Sequence, residues 1–215
     1  MPKNVIQYDL LISCPGDIKE EKEVIQKAVS QFNELYSDVL NIAIRTRDWK
    51  HSSFPQSGNK PQKLLNNQFV NDCDAAVAIF WSRFGTPTDE YASGTEEEIE
   101  IMLSENKQVF LYFSESPVSP SSIDSDQYKR VIEFKEKYAD RGIYYTYSSI
   151  DEFKEMIFAH LSQFFLSKKT VDSFIEKREP MWSSRIRFLE KVKSISSDAK
   201  GIQWKMLESL KEIWW

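Results

Sequence analysis

The sequence predicts an α/β fold, a five-stranded parallel sheet with helices on both faces, followed by a C-terminal helical extension. Three observations carry this. Ala75-Ala76-Val77-Ala78-Ile79-Phe80 is apolar without interruption, the pattern of a strand buried on both faces. Short apolar runs alternate with helical stretches as far as residue 167, the order of a parallel sheet crossed over by helices. From Lys168 onward the character changes. Eleven Lys/Arg against seven Asp/Glu give that part +4, and the chain total of −5 leaves −9 for residues 1–167. The expected division is therefore an α/β domain over 1–167 and a helical extension over 168–215.

Each element has its own signal. Tyr8-Asp9-Leu10-Leu11-Ile12-Ser13 is the first strand, and it runs into the turn Cys14-Pro15-Gly16-Asp17. Asp17-x-x-Glu20 fits a capping box, and Ile25, Ala28, Val29, Phe32, Leu35 and Tyr36 give the following helix one apolar face. Leu40 to Arg45 alternates like a strand near an edge. Thr46 to Lys63 is a long loop, a length usually tied to function in compact domains. Pro61 to Asn71 reads as a helix carrying Leu64, Leu65 and Val70. After the central strand, Trp81 to Thr88 leads to Ser93-Gly94-Thr95-Glu96-Glu97-Glu98, a helix start. Ile99, Met102 and Leu103 mark the face of that helix that packs on the sheet. Val109 to Phe113 is a second buried strand, and the stretch from Ser114 to Ser125 is irregular. Asp126 to Tyr138 is a helix, Ile143 to Tyr147 the last strand, and Ser149-x-x-Glu152 the box that opens a helix through Leu166.

Composition excludes several classes. A net charge of −5 leaves no basic footprint for nucleic acid. Two cysteines and two histidines, at no ligand spacing, argue against a disulfide framework or a metal site and fit a reducing cytoplasm. The first ten residues lack a signal-peptide apolar segment, and no apolar run approaches the length of a membrane span. A soluble cytoplasmic protein without a bound cofactor is expected.

In open parallel sheets, ligands bind beyond the carboxyl ends of the strands. Three stretches follow strand ends here: Ser13-Cys14-Pro15-Gly16, Arg45 to Trp49, and Trp81 to Glu98. Gly16, ahead of a helix N-terminus, offers a phosphate seat. Arg45, Arg47 and Arg83 suit phosphate, while Trp81 and Phe84 suit stacking on a base. Gly94 and Thr95 shape the approach to Glu98. On a helical wheel Glu98 falls at the border of the apolar stripe, partly desolvated and on a rigid element, which suits a reactive acid. The same residue also fits a capping box, Thr95-x-x-Glu98. Glu97 points away from the stripe and should be solvated, and Asp89 and Glu90 are nearby candidates for a second acid. Together these residues describe a pocket for a nucleotide with one acid near its sugar. No Walker loop, GxSxG or histidine triad is present, so phosphoryl and acyl transfer fit poorly.

The run Tyr91-Ala92-Ser93-Gly94-Thr95-Glu96-Glu97-Glu98, followed by Met102-Leu103-Ser104, resembles the segment that carries the nucleophilic glutamate in nucleoside deoxyribosyltransferases. A larger pattern is similar to the TIR-like domains found ahead of STAND-type NTPases and in bacterial defence proteins. It comprises Leu11 to Asp17, Cys73-Asp74 before an apolar strand, Arg83-Phe84-Gly85-Thr86-Pro87, and Ser93 to Glu98. The resemblance covers roughly residues 5–165. It implies a flavodoxin-like domain with Glu98 as the catalytic glutamate that breaks an N-glycosidic bond. The transferases place an aspartate two residues before the glycine, where this chain has Ala92, which argues against transfer of a deoxyribosyl group. The reaction implied is cleavage of NAD with release of nicotinamide, to ADP-ribose or a cyclic product, in antiphage defence or signalling. The rival readings are a TIR-like interaction module without turnover and a nucleoside or nucleotide N-glycosidase.

The extension carries a stripe of Ile202, Met206, Leu207, Leu210, Ile213 and Trp214. Large apolar side chains contribute roughly 1.5–3 kcal/mol each when fully buried. The first 167 residues already hold a complete layer structure, so this stripe is expected to mediate self-association or to dock a partner protein. Removing residues 170–215 should leave a folded, soluble domain that has lost self-association, as read by sedimentation and circular dichroism. Aggregation of the truncated chain as an unfolded polypeptide would place the stripe in the core instead.

Overall fold

The computed structural model describes residues 4–167. The chain divides into two compact units, Met1–Gln163 and Phe164–Trp215. The expected extension over 168–215, with its apolar stripe, lies outside the described residues. Strands β1 (Ile6–Ser13), β2 (Ile42–Arg47), β3 (Ala75–Phe80), β4 (Gln108–Ser114) and β5 (Tyr144–Tyr147) form one sheet. It is all parallel, in the order β2-β1-β3-β4-β5, the flavodoxin-like arrangement.

Every residue of β3 is buried, as an uninterrupted apolar run demands. Successive side chains alternate between faces. Leu11, Ala76, Ala78, Phe80, Leu111 and Phe113 face one layer of helices. That layer comprises α3 (Pro61–Leu65) with a π-helical turn (Asn66–Val70), α4 (Gly94–Ser104) and α5 (Ser125–Ala139). The alternate positions, Leu10, Ile12, Val77, Ile79 and Tyr112, are buried too. They meet α1 (Glu20–Leu40) and a helix over 150–167, whose Phe153 ring stands edge-on to Tyr112 at 5.2 Å.

Some local expectations shift. β2 starts two residues late because Asn41 adopts a left-handed conformation (φ 53°) and ends α1 as its C-cap. The long loop after β2 holds a four-residue helix, α2 (Trp49–Ser52), N-capped by Asp48. The Asp17–Glu20 box does not form. Lys19 is the N-cap of α1, and Asp17 Oδ2 instead accepts from Ser82 N, Ser82 Oγ and Arg83 N at 3.0–3.1 Å. On the outer edge, the Asn33 side chain bonds both backbone groups of Ile44 in β2 at 2.8 Å.

Phe84 belongs to the core rather than to a ligand site. It is buried and lies 5.1 Å from Phe80 and 5.4 Å from Phe134 between ring centroids. The loop after β3 turns inward there because Gln127 Oε1 accepts from both Phe84 N and Gly85 N. Phe84→Ala should therefore cost about 3–5 kcal/mol in urea denaturation. A loss below about 1 kcal/mol would show that the ring does not support the core.

Candidate functional site

The site is built around the start of α4. Ser93 is the N-cap: its Oγ accepts from Glu96 N at 3.0 Å, and Glu96 Oε2 accepts from Ala92 N at 2.9 Å. The cap therefore lies two residues earlier than the Thr95–Glu98 box expected from sequence, and Thr95 is simply a buried residue of the first turn. The same geometry recurs at residue 149, where Glu152 Oε2 accepts from Ser148 N and Ser149 Oγ from Glu152 N. In both cases the glutamate reaches one residue beyond the cap. Glu98 is thereby relieved of any capping role.

Its carboxylate joins three elements instead. One oxygen accepts from Ser13 Oγ at the carboxyl end of β1, the other from Gln62 Nε2 on α3 at 3.0 Å. Gln62 Nε2 also donates to Asn66 Oδ1 at 3.0 Å, and Asn66 Nδ2 donates to Glu97 Oε1 at 2.7 Å. A continuous chain of contacts runs Ser13–Glu98–Gln62–Asn66–Glu97. Gly94 makes room for it, since a β-carbon there would lie 2.6 Å from Gln62 Oε1. Glu97 is thus not a freely solvated side chain. The helical wheel places it opposite the sheet correctly, but α3 and the π-helical turn lie alongside α4 and supply Asn66 there. Gln62 and Asn66 are the residues that sequence reading missed. Their only signal is an i, i+4 pair of amides on a short helix behind a long loop.

Burial pushes the Glu98 carboxyl above its usual range, and Glu97 adds to that. The hydrogen bonds from Ser13 and Gln62, and the positive charge of Lys22, oppose the shift. Burial also pushes the Cys14 thiol up to about 12, against the pull of Lys22, so this thiol is held protonated. Lys22 is a further residue that sequence reading passed over, a lone cation among Glu20, Glu21 and Glu23 in the first turn of α1. Those three carboxylates also disfavour the phosphate seat expected at Gly16, which is exposed and lies three residues ahead of the N-cap.

The remaining expected residues disperse. Arg45 is engaged by Asp9, with contacts of 2.8 and 2.6 Å, and Asp9 pairs through backbone and side chain with Asp74 just before β3. Arg45 therefore sits toward the amino ends of the strands, away from the expected edge. Trp81 donates from Nε1 to Ser116 O at 2.9 Å, and Arg83 is exposed. Trp49 is 53% exposed on α2, with Lys50 Nζ 5.8 Å from its ring centroid. Beside it, buried Asp48 holds His51 Nδ1 at 2.8 and 2.9 Å, a carboxylate–imidazole pair that sequence spacing does not reveal. Among the described residues, no three of His, Cys, Asp and Glu gather as a metal site would need, and no helix is long and apolar enough to cross a membrane.

A cleft of about 380 Å³ opens on the outer side of this network. Gln62 and Glu97 form part of its wall, with Lys60, Lys63, the turn from Thr86 to Glu90, and Pro61 completing it. Lys60 and Asp89 form an ion pair across it.

The family model that matches the chain spans residues 12–162, well over half its length, and takes in the whole Ser13–Glu98 arrangement. The chain belongs to the DUF4062 family, described as a domain of unknown function. No curated protein matches it significantly in sequence. Among solved structures, this DUF4062 chain is similar to the apo form of translation elongation factor SelB from Methanococcus maripaludis, at 14% identity and a TM-score of 0.40. That match covers 74% of this chain and 36% of that one. A second similarity is to S. aureus homoserine dehydrogenase at pH 6.0, at 10% identity and a TM-score of 0.31, covering 66% and 33%. The chain thus spans about a third of the length of the structures it matches.

The raised Glu98 carboxyl makes a stability prediction with a definite sign. The folded state binds this proton more tightly than the unfolded chain, whose glutamate titrates near ~4.3. That contribution is fully present below the unfolded value and is lost as pH rises through the folded one. Glu98→Gln, neutral throughout, escapes the loss. Its Tm relative to wild type should climb as pH rises above the unfolded value of about 4.3. A difference that stays flat or falls over that range would show that the carboxyl is not raised.

Proposed function

We propose that this DUF4062 chain is a TIR-like enzyme that cleaves the N-glycosidic bond of NAD and releases nicotinamide, with Glu98 as the acting carboxylate. The observation that supports this is the placement of Glu98: half-buried at the carboxyl edge of the sheet, held by Ser13 and Gln62, and free of the capping role that would otherwise explain it. Both partners donate to it, which favours its charged form against burial. Nicotinamide leaves from a cationic pyridinium, so the glycosidic electron pair departs onto nitrogen and no general acid is required. A single carboxylate suffices, either attacking C1′ or stabilising the oxocarbenium ion. Water then gives ADP-ribose and a proton, and attack by an adenine nitrogen gives a cyclic product. A role in bacterial antiphage defence or signalling, and assembly with a second copy or a defence partner, follow from the same resemblance and are proposed with it.

One observation favours the rival reading of an interaction module without turnover: both Glu98 oxygens are already hydrogen-bonded, as a structural tie would have them. Incubation with NAD, nucleotides and nucleosides, dilute and crowded, with chromatography for free base, separates the readings. Nicotinamide should appear from NAD. Glu98→Gln should lower its rate by on the order of 10³-fold. Ser93→Ala, which removes the true cap, should cost ~1 kcal/mol of stability and leave the rate near wild type. Base released only from nucleosides would favour the N-glycosidase, and no release under any condition the interaction module.

A further inference from the structure

Glu97 stands where it should do harm. A second negative charge beside a buried carboxyl disfavours ionisation of that carboxyl, and Glu97 pushes Glu98 upward in this way. It also forms the far end of the line of contacts that reaches Glu98. Asn66 Nδ2 donates to Glu97 Oε1 at 2.7 Å, and Gln62 Nε2 donates to both Asn66 Oδ1 and Glu98 Oε1 at 3.0 Å. Asn66 is only 6% exposed. Its backbone N–H bonds Gln62 O one helical turn back, so the two amides stand side by side.

The chemistry of these groups allows one orientation. An ionised carboxylate only accepts, so Glu97 turns the NH2 of Asn66 toward itself and leaves Oδ1 to face Gln62. That oxygen also only accepts, so Gln62 must present its NH2, whose two hydrogens serve Asn66 and Glu98. Reversing the Gln62 amide would set its Oε1 against Asn66 Oδ1 and Glu98 Oε1, two contacts between acceptors. A donor already fixed in place serves a carboxylate better than one that must first be ordered. The other groups around Glu98 do not set this amide. Ser13 meets the opposite carboxylate oxygen, Lys22 of α1 attracts the charge through space, and the neighbouring Cys14 thiol is held protonated.

We propose that Glu97 and Asn66 are positioning residues, which together lock the Gln62 amide so that a donor, never an acceptor, faces the acting carboxylate of Glu98. The inference rests on the reading of Glu98 as that carboxylate. The repulsion from a second charge near Glu98 is offset by the polarity that this charge imposes on the two amides. A proton that reaches Glu98 is confined to Oε2, the oxygen that faces Ser13.

Plain electrostatics and the amide lock predict different signs. The titration midpoint of the Glu98 carboxyl is followed by carbon NMR, its signal assigned by its absence from Glu98→Gln, with Tm measured for each variant. Glu97→Gln removes the charge but keeps an oxygen for Asn66, so the midpoint should fall below that of wild type. Glu97→Ala removes charge and acceptor together, and its midpoint should lie roughly half to one pH unit above that of Glu97→Gln. Water admitted by the alanine would by itself move it the other way. Asn66→Ala keeps the Glu97 charge and breaks the line, and should titrate above wild type by a similar amount. The proposal is overturned if the two Glu97 variants titrate together, or if Asn66→Ala titrates at or below wild type. Should Asn66→Ala fail to fold, the two Glu97 variants decide alone. Nicotinamide release from NAD is scored separately, and the acid limb of its kcat/KM should follow the midpoint in each variant. Midpoints that move as expected without any release keep the lock and remove the enzymatic reading of Glu98. Release whose acid limb ignores the midpoints overturns the part assigned to the lock in the reaction.

Discussion

A carboxylate drawn out of water has to be compensated, and the compensation for Glu98 dictates how much of this domain is arranged. Ser13 is buried at the end of β1 and spends its hydroxyl on this one contact. Gln62 reaches it from α3, across the glycine that opens α4. Three elements distant in sequence are therefore tied at one point, and the two that meet Glu98 each supply a donor rather than a counter-charge. Lys22 stands close enough to lower the pKa of the carboxyl without forming an ion pair with it. A carboxylate compensated by neutral donors keeps its charge available in a way that a salt-bridged one does not.

The loops at this edge are fixed from behind. Asp17 collects the hydroxyl and two backbone N–H groups of Ser82 and Arg83, and Gln127 collects those of Phe84 and Gly85. Gly94 N then donates to Thr86 O at 3.2 Å. The segment between β3 and α4 is thus anchored along much of its length. One wall of the cleft therefore rests on rigid structure, while the Lys60–Asp89 pair across it is exposed and exchanges readily with water.

The architecture was legible in the sequence because it depends on short-range patterns. The unbroken apolar run at β3 and the stripe of Ile99 and Met102 each state which surface is buried, and a parallel sheet follows from their order. Glu98 was legible for the same reason, since its position beside that stripe is a matter of helical phase. What could not be read were the partners. Gln62 and Asn66 meet α4 only through tertiary packing, and nothing in their spacing indicates that a helix 30 residues away needs two amides. The cap was misplaced because Ser93 and Thr95 are both good N-cap residues, each followed three positions later by a glutamate. Arg45 and Phe84 failed for opposite reasons: one is held by Asp9, its register partner on the adjacent strand, short of the carboxyl edge, and the other was absorbed by an aromatic cluster.

Asn33 has a consequence for how copies of this chain can meet. Its amide mimics a neighbouring strand, taking up the N–H and the C=O that Ile44 turns outward from β2. An incoming strand would have to expel that side chain before it could form its own ladder there. A continuous sheet through successive molecules needs two receptive margins on each, and this domain retains at most one. Among the described residues, strand addition at the β2 margin is therefore opposed at Ile44, which disfavours a sheet continued through both margins.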